Sequence, residues 1–317
     1  MTLAAPAERD LSAWRLFLRR LNIFGFTSRS IVILAPALWL TVFFLIPLAV
    51  VFKISLSEAA IAKPPYLPLI TFTDDGSVQL QLHLSNYLFL ASDSLYIDAY
   101  LNSIKVAVIS TFFALLIGYP MAYAIARASD RWRNILLMLV ILPFWSSFLL
   151  RVYAWIGFMK GNGVINNVLM SLGIIHDPIV MLQTDFAVYV GIVYTYLPFM
   201  ILPLYTNLVK LDQSLLEASA DLGARPFGTF WNITLPLSMP GVVAGSLLVF
   251  IPALGEYVIP ALLGAPDTLM IGRVLWDEFF SNRDWPVASA VAVAMLVVVV
   301  VPIMLLQRAQ TAVVEAR

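Results

Sequence analysis

Six long apolar runs punctuate the chain, at positions 31–52, 101–126, 135–158, 186–208, 239–263 and 288–306. A helix rises about 1.5 Å per residue, so runs of this length are suited to crossing a hydrocarbon layer roughly 30 Å thick. Few charges interrupt them, which predicts helices solvated by lipid. The expected fold is an all-α integral membrane protein of about six transmembrane helices. Between the first two runs, Val78, Leu80, Leu82 and Leu84 alternate with Gln79, Gln81 and His83, after Asp75 and Gly76. That period of two predicts a small β-hairpin with His83 on its wet face.

These runs divide the chain into an inner N-terminal segment, 1–30, a first transmembrane helix, 31–52, and an outer segment, 53–100. A five-helix core, 101–306, follows, with an inner loop at 210–236 and an inner tail at 307–317. The first run is too long for a signal-peptide core and no persuasive cleavage site follows it, so it is expected to stay as an anchor. Orientation follows from Lys and Arg. With the N-terminus inside, twelve of the 19 bases fall in inner segments and five (Lys53, Lys63, Lys160, Arg273 and Arg283) outside, while Lys105 and Arg151 lie within helices. Both termini are therefore expected on the cytoplasmic side.

Composition sharpens this reading chiefly by exclusion. Apolar residues make up 61% of the chain and charged residues 12%, with mean hydropathy +0.89, more than a water-exposed surface tolerates. The formal net charge is zero, which offers no basic face to nucleic acid. With no Cys and only His83 and His176, disulfides, thiolate metal sites and a histidine-rich metal centre are ruled out. No Gly-x4-Gly-Lys-Ser/Thr loop or Gly-x-Ser-x-Gly elbow occurs, so neither an ATPase nor a serine hydrolase is expected. The reading is of a chain without catalytic residues or a cofactor of its own.

The inner loop carries the most informative motif, with Asp212 to Pro236 reading DQSLLEASADLGARPFGTFWNITLP. Ser214 followed by Glu217 three residues on predicts a capping box, Leu215 to Leu222 supply two helical turns, and Gly223 suits the left-handed residue that ends them. Pro226 favours the first turn of another helix, in which Phe227, Phe230 and Trp231 share a face and which Pro236 is expected to close. Two turns are marginal alone in water, so a partner is expected to hold them.

Glu217, Ala218, Gly223, Ile233, Leu235 and Pro236 resemble the cytoplasmic signature of permeases in binding-protein-dependent ATP-binding-cassette importers, with Ser219 where that family usually has Ala. The resemblance implies that Leu215, Leu216, Glu217, Ala218, Ser219, Asp221, Leu222, Gly223 and Arg225 form the coupling helix that seats in an ATPase subunit. Further stretches, NGVINN, LVFIPALGEYVIPALLG and MIGRVLWDEFFSNRDWPVASAVA, are similar to permease subunits of polyamine importers, most of all the putrescine type. This implies a second homologous permease, two ATPase subunits that bind ATP and Mg, and a periplasmic polyamine-binding protein.

Charge inside a membrane is expensive and asks for a reason. Glu256 lies between Pro252 and Pro260, beside Gly255 and Tyr257, where the helix ladder is expected to break. Two readings stand for it: a site for a substrate ammonium, together with Tyr257, or an ion pair with Arg151. Trp145, Tyr153 and Trp155 are candidates for the same path or for an interfacial aromatic belt. The outer segments hold eleven acids against five bases, which suits a dication or a docking partner. An ion-coupled secondary transporter is the rival class, and an importer for another small solute the third; the former does not explain the 217–236 signature.

Overall fold

The apolar runs become helices in the computed structural model of the chain, which describes residues 28–72 and 78–315. Most of the expected segment 1–30 lies outside the described residues. Helix α1, Ser28–Leu40, passes through a π-helical stretch, Thr41–Leu45, into α2, Ile46–Ser55. Pro47 stands two residues beyond that stretch. Proline lacks an N–H and its ring crowds the carbonyl four residues back, so a locally widened turn ahead of it keeps the helix running.

In the outer segment, β1, Ile70–Phe72, pairs antiparallel with β2, Val78–Leu80, with Ile70 opposite Leu80. The alternation stops there. His83 is half-buried rather than on a wet strand face: its backbone N–H donates to the Leu56 carbonyl at 2.9 Å and its Nε2 lies 3.4 Å from Glu58 Oε2. A three-residue strand cannot carry its pleat as far as residue 83.

Helix α3, Ser85–Ser92, leads into α4, Ser94–Arg127. The third run is not the continuous helix expected over 135–158. It forms α5, Asp130–Ile141, a tight turn at Leu142–Trp145, α6, Phe148–Met159, and α7, Val164–Ser171, with a bend of 93° between its two halves. Pro143 sits in that turn, and the Ser146 hydroxyl donates to the Pro143 carbonyl at 2.7 Å, holding the chain off the helical path. Helix α8, Asp185–Leu208, returns through the membrane to the loop bearing α9, Gln213–Asp221, and α10, Pro226–Thr229. A π-helical stretch, Phe230–Thr234, then joins α10 to α11, Leu235–Leu254. Pro236 therefore does not close the short helix; the widened turn ahead of it lets one helix run from Pro226 to Leu254. Beyond a break lie α12, Val258–Leu263, α13, Ile271–Trp276, a π-helical turn at Asp277–Asn282, and α14, Trp285–Glu315.

The centre of the fold is α4, α8 and α11 packed on one another, while α1 and α2 touch the rest mainly through α14. Contact between α8 and α11 is backbone to backbone. A Cβ on Gly245 would stand 3.0 Å from the Met200 carbonyl oxygen, so only glycine lets α11 ride on α8. Among the described residues, four helices are long and apolar enough to span, the bent pair makes a fifth, and α14 is a further apolar helix. This is the all-α membrane architecture expected.

Candidate functional site

The inner loop is built by local chemistry. The Asp212 carboxylate accepts the Ser214 backbone N–H at 2.9 Å, making Asp212 the N-cap of α9. The capping box expected from Ser214 and Glu217 is therefore corrected: the acid two residues earlier takes the orphan amide, and Ser214 lies inside the helix. That pairing holds the Asp212 carboxyl below the usual carboxylate range, through its hydrogen bonds with the amide and side chain of Ser214. At the other end Gly223 adopts φ +78°, its N–H donates to the Ala220 carbonyl and that of Ala224 to the Ser219 carbonyl. Both bonds belong to a Schellman stop, which needs a residue without a Cβ penalty in the left-handed region.

α9 is fastened to α10 by a part-buried hydrogen bond, Ser219 Oγ to Thr229 Oγ1 at 2.8 Å. The pair is fastened to the bundle by Phe230, whose ring meets Tyr119 of α4 edge-on at 5.5 Å, while the Tyr119 hydroxyl lies 2.8 Å from Ser238 Oγ. Most of the other side chains of the pair face outward. Leu222 is 89% exposed and Phe227 73%, and Leu215, Glu217, Ala218, Asp221 and Arg225 are exposed beside them; Leu216 is half-buried. The loop is a short braced helical pair that leaves the apolar side chains Leu215, Leu222 and Phe227 exposed together.

The second candidate region lies in the membrane. The helix breaks at Gly255–Tyr257, where Glu256 is only 7% exposed. Its Oε1 accepts the backbone N–H groups of Val258 at 3.0 Å and Ile259 at 3.3 Å, so the carboxylate caps α12. Its Oε2 accepts the Tyr196 hydroxyl. Tyr196 stands midway along α8, which places the acid at mid-depth.

Arg151 does not pair with it. The guanidinium lies over the Phe144 ring at 5.0 Å, and its Nε has no hydrogen-bond partner among the described residues. The ion-pair reading of Glu256 gives way because the bend turns α6 away from the axis on which depth was counted. Tyr257 stacks on Trp276 at 4.8 Å and 13°. Trp145, 77% exposed, and Tyr153, also exposed, are not gathered with Glu256, and Trp155 lines an apolar cavity with Tyr189 and Tyr194.

Sequence reasoning missed Tyr196, Trp276 and Tyr119. Each meets its partner across more than sixteen residues of chain, and no local pattern marks such a contact. The Asp212 cap was legible, since an acid two residues ahead of Ser214 is a common helix start.

Residues 99–314, which contain both regions, match the family described as binding-protein-dependent transport system inner membrane component. The chain is 40% identical over 273 residues to the spermidine/putrescine transport system permease protein PotB of Haemophilus influenzae, covering 86% of this chain and 90% of that protein. It is 41% identical over 229 residues to PotB of Escherichia coli K12, covering 72% and 83%. Among solved structures, a chain of a bacterial ABC transporter involved in the import of the acidic polysaccharide alginate superposes with a TM-score of 0.65 at 17% identity, covering 94% of this chain and 99% of that one. That likeness is one of fold.

Proposed function

Because this chain belongs to the family of binding-protein-dependent transport inner membrane components, we propose that it carries a polyamine, putrescine in particular, inward through the membrane. It is a non-catalytic, multi-pass inner-membrane permease subunit of an ATP-binding-cassette importer. The polyamine assignment is supported by the spermidine/putrescine permeases it is similar to.

In this reading the chain pairs with a second permease of similar fold, two ATPase subunits holding ATP and Mg, and a periplasmic polyamine-binding protein. Both termini face the cytoplasm. The observation that carries the mechanism is the braced pair α9–α10 with its open apolar face: Leu215, Leu222 and Phe227 seat in the ATPase, and the Phe230–Tyr119 contact passes the displacement of the pair to α4. Closure of the ATPases on ATP moves these levers together and shifts the bundle between inward-open and outward-open states. Along the path, Glu256 offers a carboxylate and Tyr257 an aromatic face to a substrate ammonium. To bind it, the ammonium takes the place of the Tyr196 hydroxyl at Oε2. Trp145 and Tyr153, exposed and apart from Glu256, belong to a separate stretch of the path.

The test is reconstitution of the assembled complex in proteoliposomes, following ATP-dependent uptake of labelled putrescine and spermidine. Putrescine accumulation that requires ATP and the binding protein is the expected result. Uptake driven by an ion gradient without nucleotide would transfer the chain to the secondary transporters; nucleotide-dependent uptake of neither polyamine would leave an importer of another solute.

A further inference from the structure

Neither candidate region uses a notch at the outer end of the fold, a cavity of about 380 Å³ between the loop at residues 59–66 and the turn joining α13 to α14. Lys63, Phe279, Phe280, Arg283 and Trp285 line it. Its walls are built. A backbone bridge between Ala59 and Tyr66 closes the loop, Tyr66 lies 6.3 Å from Trp285, and Phe279 stacks on Trp285 at 5.0 Å and 4°. Beside it the loop tip leaves Ile61 fully exposed, and Phe280 is 56% exposed.

The charge of the notch is opposite to that of its surroundings. Lys63 and Arg283 are both exposed, and neither forms an ion pair among the described residues. The acids closest in sequence to Arg283 are engaged elsewhere. Asp284 accepts the Val287 N–H at 3.0 Å, Glu278 accepts the Tyr96 hydroxyl at 2.7 Å and Asn282 at 3.0 Å, and Asp277 faces Arg273 at 3.9 Å. On a face with eleven acids and five bases, two cations without an ion pair among the described residues, set among aromatic rings, form a local site for carboxylates. Arginine and large aromatic residues are also the side chains that anchor protein interfaces.

We propose that this notch docks an acidic loop of the extracytoplasmic substrate-binding protein. Lys63 and Arg283 take its carboxylates, and Ile61 and Phe280 supply the apolar contact. The proposal rests on the importer reading above. The wall also continues inward: Phe280 lies 4.1 Å from Trp276, and Trp276 stacks on Tyr257, the neighbour of Glu256. A protein seated in the notch therefore bears on an aromatic column that ends at the helix break.

The experiment uses the assembled importer in proteoliposomes with its own purified polyamine-binding protein, reading the concentration that half-maximally stimulates ATP hydrolysis. Lys63→Gln combined with Arg283→Asn removes both charges; Asn tolerates the left-handed backbone that Arg283 holds at φ 56°. The double variant is expected to raise that concentration by about tenfold and to lose most of its dependence on salt, whereas Lys63→Arg with Arg283→Lys stays close to wild type. An unshifted half-maximal concentration in the charge-free variant, with wild-type stimulation intact, sinks the docking site alone. If omitting anionic lipid from the vesicles reproduces the shift in the wild type, the notch holds a lipid headgroup and the proposal is overturned. Wild-type protein that shows no stimulation at all removes the importer reading and the docking site together.

Discussion

Two short helices, α9 in the inner loop and α12 in the membrane, begin in the same way and live in opposite surroundings. Each is too short to stand alone, and each has its first amide groups capped by a carboxylate: Asp212 in one, Glu256 in the other. Asp212 is exposed and reaches one amide two residues on. Glu256 is buried, reaches two amides, and is tied to a tyrosine 60 residues away. Water can replace the first carboxylate as a partner for the freed N–H. Nothing near the second can, so the same bond carries far more weight at mid-membrane.

The largest expected effect comes from Glu256→Leu. It strands the amides of Val258 and Ile259 and the Tyr196 hydroxyl in an apolar setting, and is expected to destabilise the bundle by about 3 kcal/mol and cut uptake on the order of a hundredfold. Thermal unfolding in detergent and vesicle uptake read the two effects separately. Glu256→Gln sharpens the comparison: its amide oxygen still caps α12, so stability should fall by only about 1 kcal/mol while polyamine uptake drops nearly as far as in the Leu variant. Normal uptake by the Gln variant would reduce Glu256 to a cap and bring the two helices back to parity.

Next in size is Gly223→Val in the inner loop. Open space surrounds this glycine, so the cost is not a clash but the left-handed backbone, about 1–2 kcal/mol for a residue with a Cβ. ATP hydrolysis is expected to continue in the folded complex while uptake falls about tenfold, and Gly223→Asn, which tolerates that backbone, should transport normally. Equal uptake in Val and wild type would deny α9 its coupling role. Ser219→Ala loses the bond to Thr229, worth about 1 kcal/mol, and a two- to threefold fall in uptake is expected.

The smallest effect is a pH dependence at Asp212. Its folded carboxyl titrates below the ordinary value, so the cap contributes fully above that ordinary value and is lost as pH falls through the depressed one. Protection of the Ser214 amide against exchange, taken relative to the intrinsic rate at each pH, should fall over that acid window, and Asp212→Asn, which caps without titrating, should flatten the fall. Loss of protection that persists in the Asn variant would assign the window to another group.

Much of this molecule is written in short stretches of chain. Six apolar runs, the glycine stop at residue 223 and the signature from Glu217 to Pro236 all depend on residues within a few positions of one another, because solvation by lipid and the capping of a helix are local events. Local rules also misled where two of them competed, as at Pro236, where a π-turn absorbs the ring that was expected to end the helix. What stayed hidden required distant residues to meet. The 93° bend, the closing of Tyr196 on Glu256, the seating of Phe230 against Tyr119 and the stacking of Tyr257 on Trp276 are choices of packing among helices that composition makes nearly interchangeable. Lipid makes every apolar face equally acceptable to solvent. Which faces touch is settled by glycines that admit a neighbouring backbone and by buried polar groups that have no water to turn to, and both become visible only once the helices are assembled.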